Sequence, residues 1–237
     1  MMLLRRVMQH VKEQNWLAVG IDLVIVVFGV FIGIEVANWN EARRDREAEA
    51  IYLDRLDREI NQILPDVDSS RDEIAGRLAS LEEVRDFLAT GEGVETLGGR
   101  HCGALATSHI FSDTIFYPPT IKELIATGRI ILIRDDVIRT AILSFDQTNA
   151  EMSQLRTDIQ IDRRLLARTY PDLIDIGFAE WEDAACDFPA MARNQSFQND
   201  FTDNMQRYRA YSSMVKARQS ETLASLGAAV TSRGNEP

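Results

Sequence analysis

Apolar positions along this chain fall into distinct patterns. From Leu17 to Ala37 (LAVGIDLVIVVFGVFIGIEVA) they form a run broken only by Asp22 and Glu35. As a helix that run spans roughly 31 Å, a match for a hydrocarbon core of about 30 Å. Trp16 and Trp39 bracket it at the two levels where indole rings favour a membrane interface. Beyond Trp39 the residues are strong helix formers, and Leu53, Leu56, Ile60, Ile63 and Val67 recur every three or four positions. Ile74, Leu78, Leu81 and Leu88 resume a similar stripe as far as Gly91-Glu92-Gly93. The pattern predicts that the apolar helix (17–39) continues into a membrane-proximal helix (40–90), kinked near Pro65.

Later segments are shorter. Residues 91–101 read as loop and 102–111 as weakly helical. Thr120 to Glu123 has capping-box spacing, with each side chain serving the other's backbone amide, and Gly128 ends the short helix that follows. RIILIR (129–134) is one strand or a buried extended link, the link being preferred because no second strand offers itself. Asp135 or Asp136 caps a helix carrying Ile138, Ile142, Phe145, Met152, Leu155, Ile159 and Leu166 and ending near Pro171. Residues 172–193 hold Trp181, Cys186 and Phe188 in a short helix and loop. A last helix from about Ser196 carries Phe197, Phe201, Met205, Tyr208, Val215 and Leu226. The fold class is all-α, an N-terminal transmembrane helix continuing into an antiparallel helical bundle. The parts are 1–16 basic segment, 17–39 span, 40–90 long helix, 91–230 bundle and 231–237 tail. A coiled-coil stalk over 40–90 is the alternative, weakened because the stripe slips out of register past Val67.

Charge refines this picture. Lys and Arg total 26 against 37 Asp and Glu, a net charge of −11, with a locally basic start at Arg5, Arg6 and Lys12. No basic block interleaves with aromatics, so nucleic acid is not an expected partner. Two other readings of 17–37 stand beside the membrane span. A buried core helix would explain the two acids, and a cleaved signal peptide would need small residues where Glu35 stands. Gly29, Gly33 and Ala37 line one helix face, and Asp22 falls within about 20° of Gly29. A homo-oligomer packed through that face is expected, against the alternative that Asp22 simply reaches the headgroups. The short basic start favours an N-terminus inside and the large domain outside, although five arginines follow the span before residue 60.

The segment NWLAVGIDLVIVVFGVFIGIEVANWNEAR and the block IKELIATGRIILIRDDVIRTAI resemble a bacterial family of single-pass membrane proteins, a domain of unknown function. The likeness is carried by Asn38, Trp39, Asn40 and Glu41 closing the apolar run, and by Glu123, Leu124, Gly128, Leu132 and Ile133. It covers the C-terminal helices by pattern only. It implies an anchored helical domain in the bacterial inner membrane and brings no activity or ligand.

Chemistry is sparse. Cys102 and Cys186 can form one disulfide if the domain is exported, or remain two buried thiols in a cytoplasmic one. His101, Cys102, His109 and Asp113 match no established zinc spacing. No G-x-S-x-G, phosphate-cradling loop or H-E-x-x-H occurs. No cofactor, metal or enzymatic activity is expected. The partners expected are the bilayer, a second copy and another envelope protein. The functional expectation is a non-enzymatic interaction or scaffolding module, with a ligand-sensing or accessory subunit of a membrane complex as the alternative.

Overall fold

Helix formers run without a break on both sides of Pro65, and they give one helix, α1, over Trp16–Thr90. The exposed Pro65 lies inside it, where the carbonyl of Asn61 loses its usual donor. Gly91 ends the helix with φ 75°, its N–H on the Phe87 carbonyl at 2.7 Å. In this computed structural model the described residues are 16–111, 115–178 and 183–232. The side chains of Trp16 and Asp22, and Asp113 and Trp181 altogether, lie outside them.

The chain divides into units 1–51 and 52–237. In the first, every described side chain from Ile21 to Trp39 is exposed, Phe28 at 64%. By length and composition α1 is, among the described residues, the one helix that could cross a membrane.

Among its described residues the second unit is all-α but for one two-residue strand pair. After a 3₁₀ turn at Val94–Thr96 come α2 (Gly99–Ala106), α3 (Pro119–Ala126), a 3₁₀ turn at Arg129–Leu132 and α4 (Asp136–Gln160). A short α5 (Leu166–Thr169) leads to β1 (Ile174–Asp175) and β2 (Ala185–Cys186), antiparallel with Ile174 opposite Cys186. Then follow α6 (Phe188–Met191), α7 (Gln195–Ala210), a π-helical stretch (Tyr211–Ala217) and α8 (Arg218–Ser232). Asp135 caps α4 by accepting the N–H groups of Val137 and Ile138, and Asn194 caps α7 by accepting that of Phe197.

Buried apolar side chains of the second unit fall into two clusters. The near cluster joins Leu53, Leu56, Ile60 and Val67 of α1 to Ile138, Ile142 and Phe145 of α4 and Leu223, Leu226 and Val230 of α8. The far cluster joins Ile74, Leu81 and Phe87 of α1 to Met152 and Ile159 of α4 and Phe197, Phe201, Tyr208 and Tyr211. Thus α1 and α4 point the same way, and the α7–α8 rod runs against both. Residues 97–133 carry the chain back from the far cluster to the near one, with Cys102, Leu105 and Phe111 in the first and Ile121, Leu124 and Ile133 in the second. Burying each Leu, Ile or Phe contributes about 1.5–3 kcal/mol, so these clusters supply most of the driving force.

Four local expectations are corrected. Helix α2 starts at Gly99, inside the segment read as loop, because His101 Nδ1 accepts the Gly98 N–H at 2.9 Å and closes the first turn. RIILIR is neither strand nor extended link. It forms a 3₁₀ turn launched from Gly128 at φ 70°, with Ile131 78% exposed and Ile133 buried. Helix α4 stops at Gln160, short of Pro171. There Arg207 donates to the Ile161 carbonyl at 2.6 Å, and Asn204 accepts the Arg164 N–H at 2.8 Å and donates to its carbonyl at 2.7 Å. The 172–193 segment holds a β pair as well as a short helix.

Candidate functional site

Between the two apolar clusters each long rod changes character over the same short interval, from Val67 to Ile74, Phe145 to Met152 and Val215 to Leu223. Polar side chains fill these intervals and form a waist across the bundle. On α1, Arg71 pairs with Asp68 at 3.2 Å and donates to Ser220 Oγ at 3.0 Å, and that hydroxyl donates to Asp68 at 2.6 Å. Gln219 donates to the Phe116 carbonyl at 3.2 Å. The Asn149 and Gln219 side-chain carbonyl oxygens are buried with no hydrogen-bond donor among the described residues.

In the interval on the α7–α8 rod is Lys216, 0% exposed, its ammonium 5.7 Å from the Tyr211 ring centroid. Burial foremost, and then the charge of Arg156, pull its pKa below the ordinary lysine value, while Glu73 opposes them. Lys216 lies in the π-helical stretch, a geometry rare in proteins and frequent at functional sites. Sequence reading missed this residue. The available signal was spacing: Lys216 and Gln219 stand seven and four positions before Leu223, on its buried face.

A second polar cluster ties the 119–133 block to α1. The Glu59 carboxylate accepts the Thr120 N–H at 2.9 Å and the Thr120 hydroxyl at 2.7 Å. Thr120 and Glu123 therefore do not form the capping box that their spacing predicts. Glu123 accepts from Tyr52 at 2.8 Å and pairs with Arg55 at 3.0 Å. These bonds, Tyr52 first, hold its carboxyl below the usual carboxylate range. Arg129 donates to the Tyr52 hydroxyl at 2.7 Å.

Of the residues singled out from sequence, Cys102 and Cys186 are joined in a disulfide, their Cα atoms 5.6 Å apart. It ties α2 to β2, and both residues pack in the far cluster. His101 stands between the Gly98 amide and Glu83, its Nε2 2.7 Å from that carboxylate, which the bond holds below its ordinary pKa. His109 lies apart from this pair, in the hollow bordering α5. Among the described residues no three His, Cys, Asp or Glu side chains are grouped as metal ligands. A Cβ at Gly29 or Gly33 would meet nothing within 4 Å, and Trp39 is exposed.

No curated protein and no solved structure matches this chain. Residues 22–149 match a family model, and that range takes in the apolar helix, the Glu59–Thr120 cluster and α4 as far as Asn149 of the waist. The match covers more than half of the sequence, and the chain belongs to the family described as "Family of unknown function (DUF6090)".

Proposed function

We propose that this chain is a single-pass, membrane-anchored, non-enzymatic interaction or scaffolding module of the bacterial envelope, its 52–237 domain outside the cytoplasm. The observation that carries the reading is the unburied apolar stretch Ile21–Trp39: left in water it would be a continuous apolar surface far larger than a soluble monomer tolerates. The Cys102–Cys186 disulfide supports an oxidising compartment for the domain. Gly29, Gly33 and Ala37 are the positions through which two copies would approach, with Asp22 on the same face. The remaining partner is another envelope protein.

The test uses membranes from cells producing the full chain. Retention in the pellet after an alkaline carbonate wash is expected, and release to the supernatant overturns the anchor. In spheroplasts treated with a reductant, a membrane-impermeant thiol reagent should label Cys102 and Cys186 once the domain is unfolded. Labelling only after lysis overturns the orientation.

The waist favours a second reading, an accessory or ligand-sensing subunit. The buried Asn149 and Gln219 oxygens of this layer have no donor among the described residues, and a ligand or a second arrangement of the side chains there would supply one. Cross-linking and mass spectrometry of native membranes separate the two. A stable partner on the domain surface supports the module, and cross-links that change across the waist with growth conditions support the sensor.

A further inference from the structure

Behind the disulfide-tied helix α2 lies a hollow of about 140 Å³ bounded by Ala106, His109, Leu165, Ala167, Arg168 and Ile176. Its wall is mostly hydrocarbon, and its polar members are one imidazole and one guanidinium. His109 lines the hollow with its Nδ1 buried and without a hydrogen-bond partner among the described residues. The charges acting on His109 are those of Arg163 and Arg168, both positive. Neither guanidinium is in an ion pair among the described residues. In a chain of net charge −11, this is a cationic recess with no ion-paired carboxylate among the described residues.

We propose that this hollow binds a small organic carboxylate, its oxygens on Arg168 and His109 and its hydrocarbon against Leu165 and Ile176. The size fits: a cavity of about 150 Å³ accommodates benzene, so about six non-hydrogen atoms fill this one. An arginine at the rim supplies a charge-assisted, bidentate anchor. The apolar wall selects a short chain over a fully hydrated oxyanion.

The experiment uses the full chain in detergent micelles, with histidine carrying ¹³C at Cε1, titrated with butyrate. The His109 resonance is identified as the one missing in His109→Gln. A saturable shift of that resonance is expected while the His101 resonance stays in place. Arg168→Gln changes an exposed residue, and an unmoved His101 resonance reports its intact fold. It should weaken butyrate binding about tenfold, the loss of one charge-assisted bond. Absence of a saturable shift, or one that Arg168→Gln leaves unchanged, overturns the proposal. Inorganic phosphate should move the resonance far less than butyrate, and an equal response overturns the organic-carboxylate assignment.

Discussion

Glu59 caps a helix sixty-one positions away in sequence: its two carboxylate oxygens take the amide and the hydroxyl of Thr120 at the first turn of α3. Pro119 at the opening of α3 brings no N–H of its own, so the Thr120 amide is the first donor needing a partner. Glu59→Ala should therefore destabilise the domain by about 1 kcal/mol, as the loss of an N-cap does. Glu123→Ala removes the half-exposed Arg55 pair and one bond from Tyr52, whose hydroxyl keeps Arg129 as a partner, and should cost less. Urea melts of the two variants give the comparison, and an equal or reversed order would show that the remote cap contributes nothing.

The Cys102–Cys186 bridge closes a sequence separation of 84 residues and clamps α2 onto the β pair. Reduction, or the double change to Ala, should lower stability by about 2–4 kcal/mol. Denaturant melts with and without reductant measure it. The wild-type difference should vanish in the double variant, and a melt insensitive to reductant would contradict the bridge.

Lys216 titrates below the ordinary lysine value in the folded chain, so the folded state binds fewer protons than the unfolded one between that lowered pKa and about 10.5. Stability accordingly rises with pH through that window, and the cost of the buried charge is present in full below it. Lys216→Met should flatten the rise, because it removes the titrating group. Melts at several pH values, wild type against variant, provide the check. A steeper slope in the variant would refute the assignment.

Two glycines in helices separate space from propensity. A Cβ at the exposed Gly76 would meet nothing within 4 Å, so Gly76→Ala should stabilise by about 1 kcal/mol. At Gly227 the same atom would come 3.2 Å from Ile60 Cγ2, where α8 meets α1 in the near cluster. Gly227→Leu should cost about 1–3 kcal/mol by overpacking. Thermal melts of both variants decide the matter, and a stabilised Gly227→Leu would contradict the packing.

What the sequence could reveal followed from local physics. The stop at Gly91 and the cap at Asp135 depend on a residue and its immediate neighbours, and each appears where the pattern puts it. The stripes through Leu53 and Ile74 are legible because burial repeats with the helical period. Remote groups decided the rest. Thr120 and Glu123 have the spacing of a capping box, but Glu59 and Tyr52 reach them first. Helix α4 has apolar residues to carry it past Gln160, and Arg207 and Asn204, more than forty positions on, bind the carbonyls and amide that end it. Lys216 reads as a solvated lysine because its burial depends on α4 and α1, which no window around residue 216 contains.

The waist also bears on how the rods find their alignment. Hydrocarbon stripes alone tolerate sliding, since one leucine fits roughly where its neighbour sat. If any of the three rods slipped along the others by a helical turn, about 5.4 Å, Lys216, Arg71 or Asn149 would enter hydrocarbon and strand the groups it left behind. The polar layer is thus an index mark, and it penalises every misaligned packing more heavily than the aligned one.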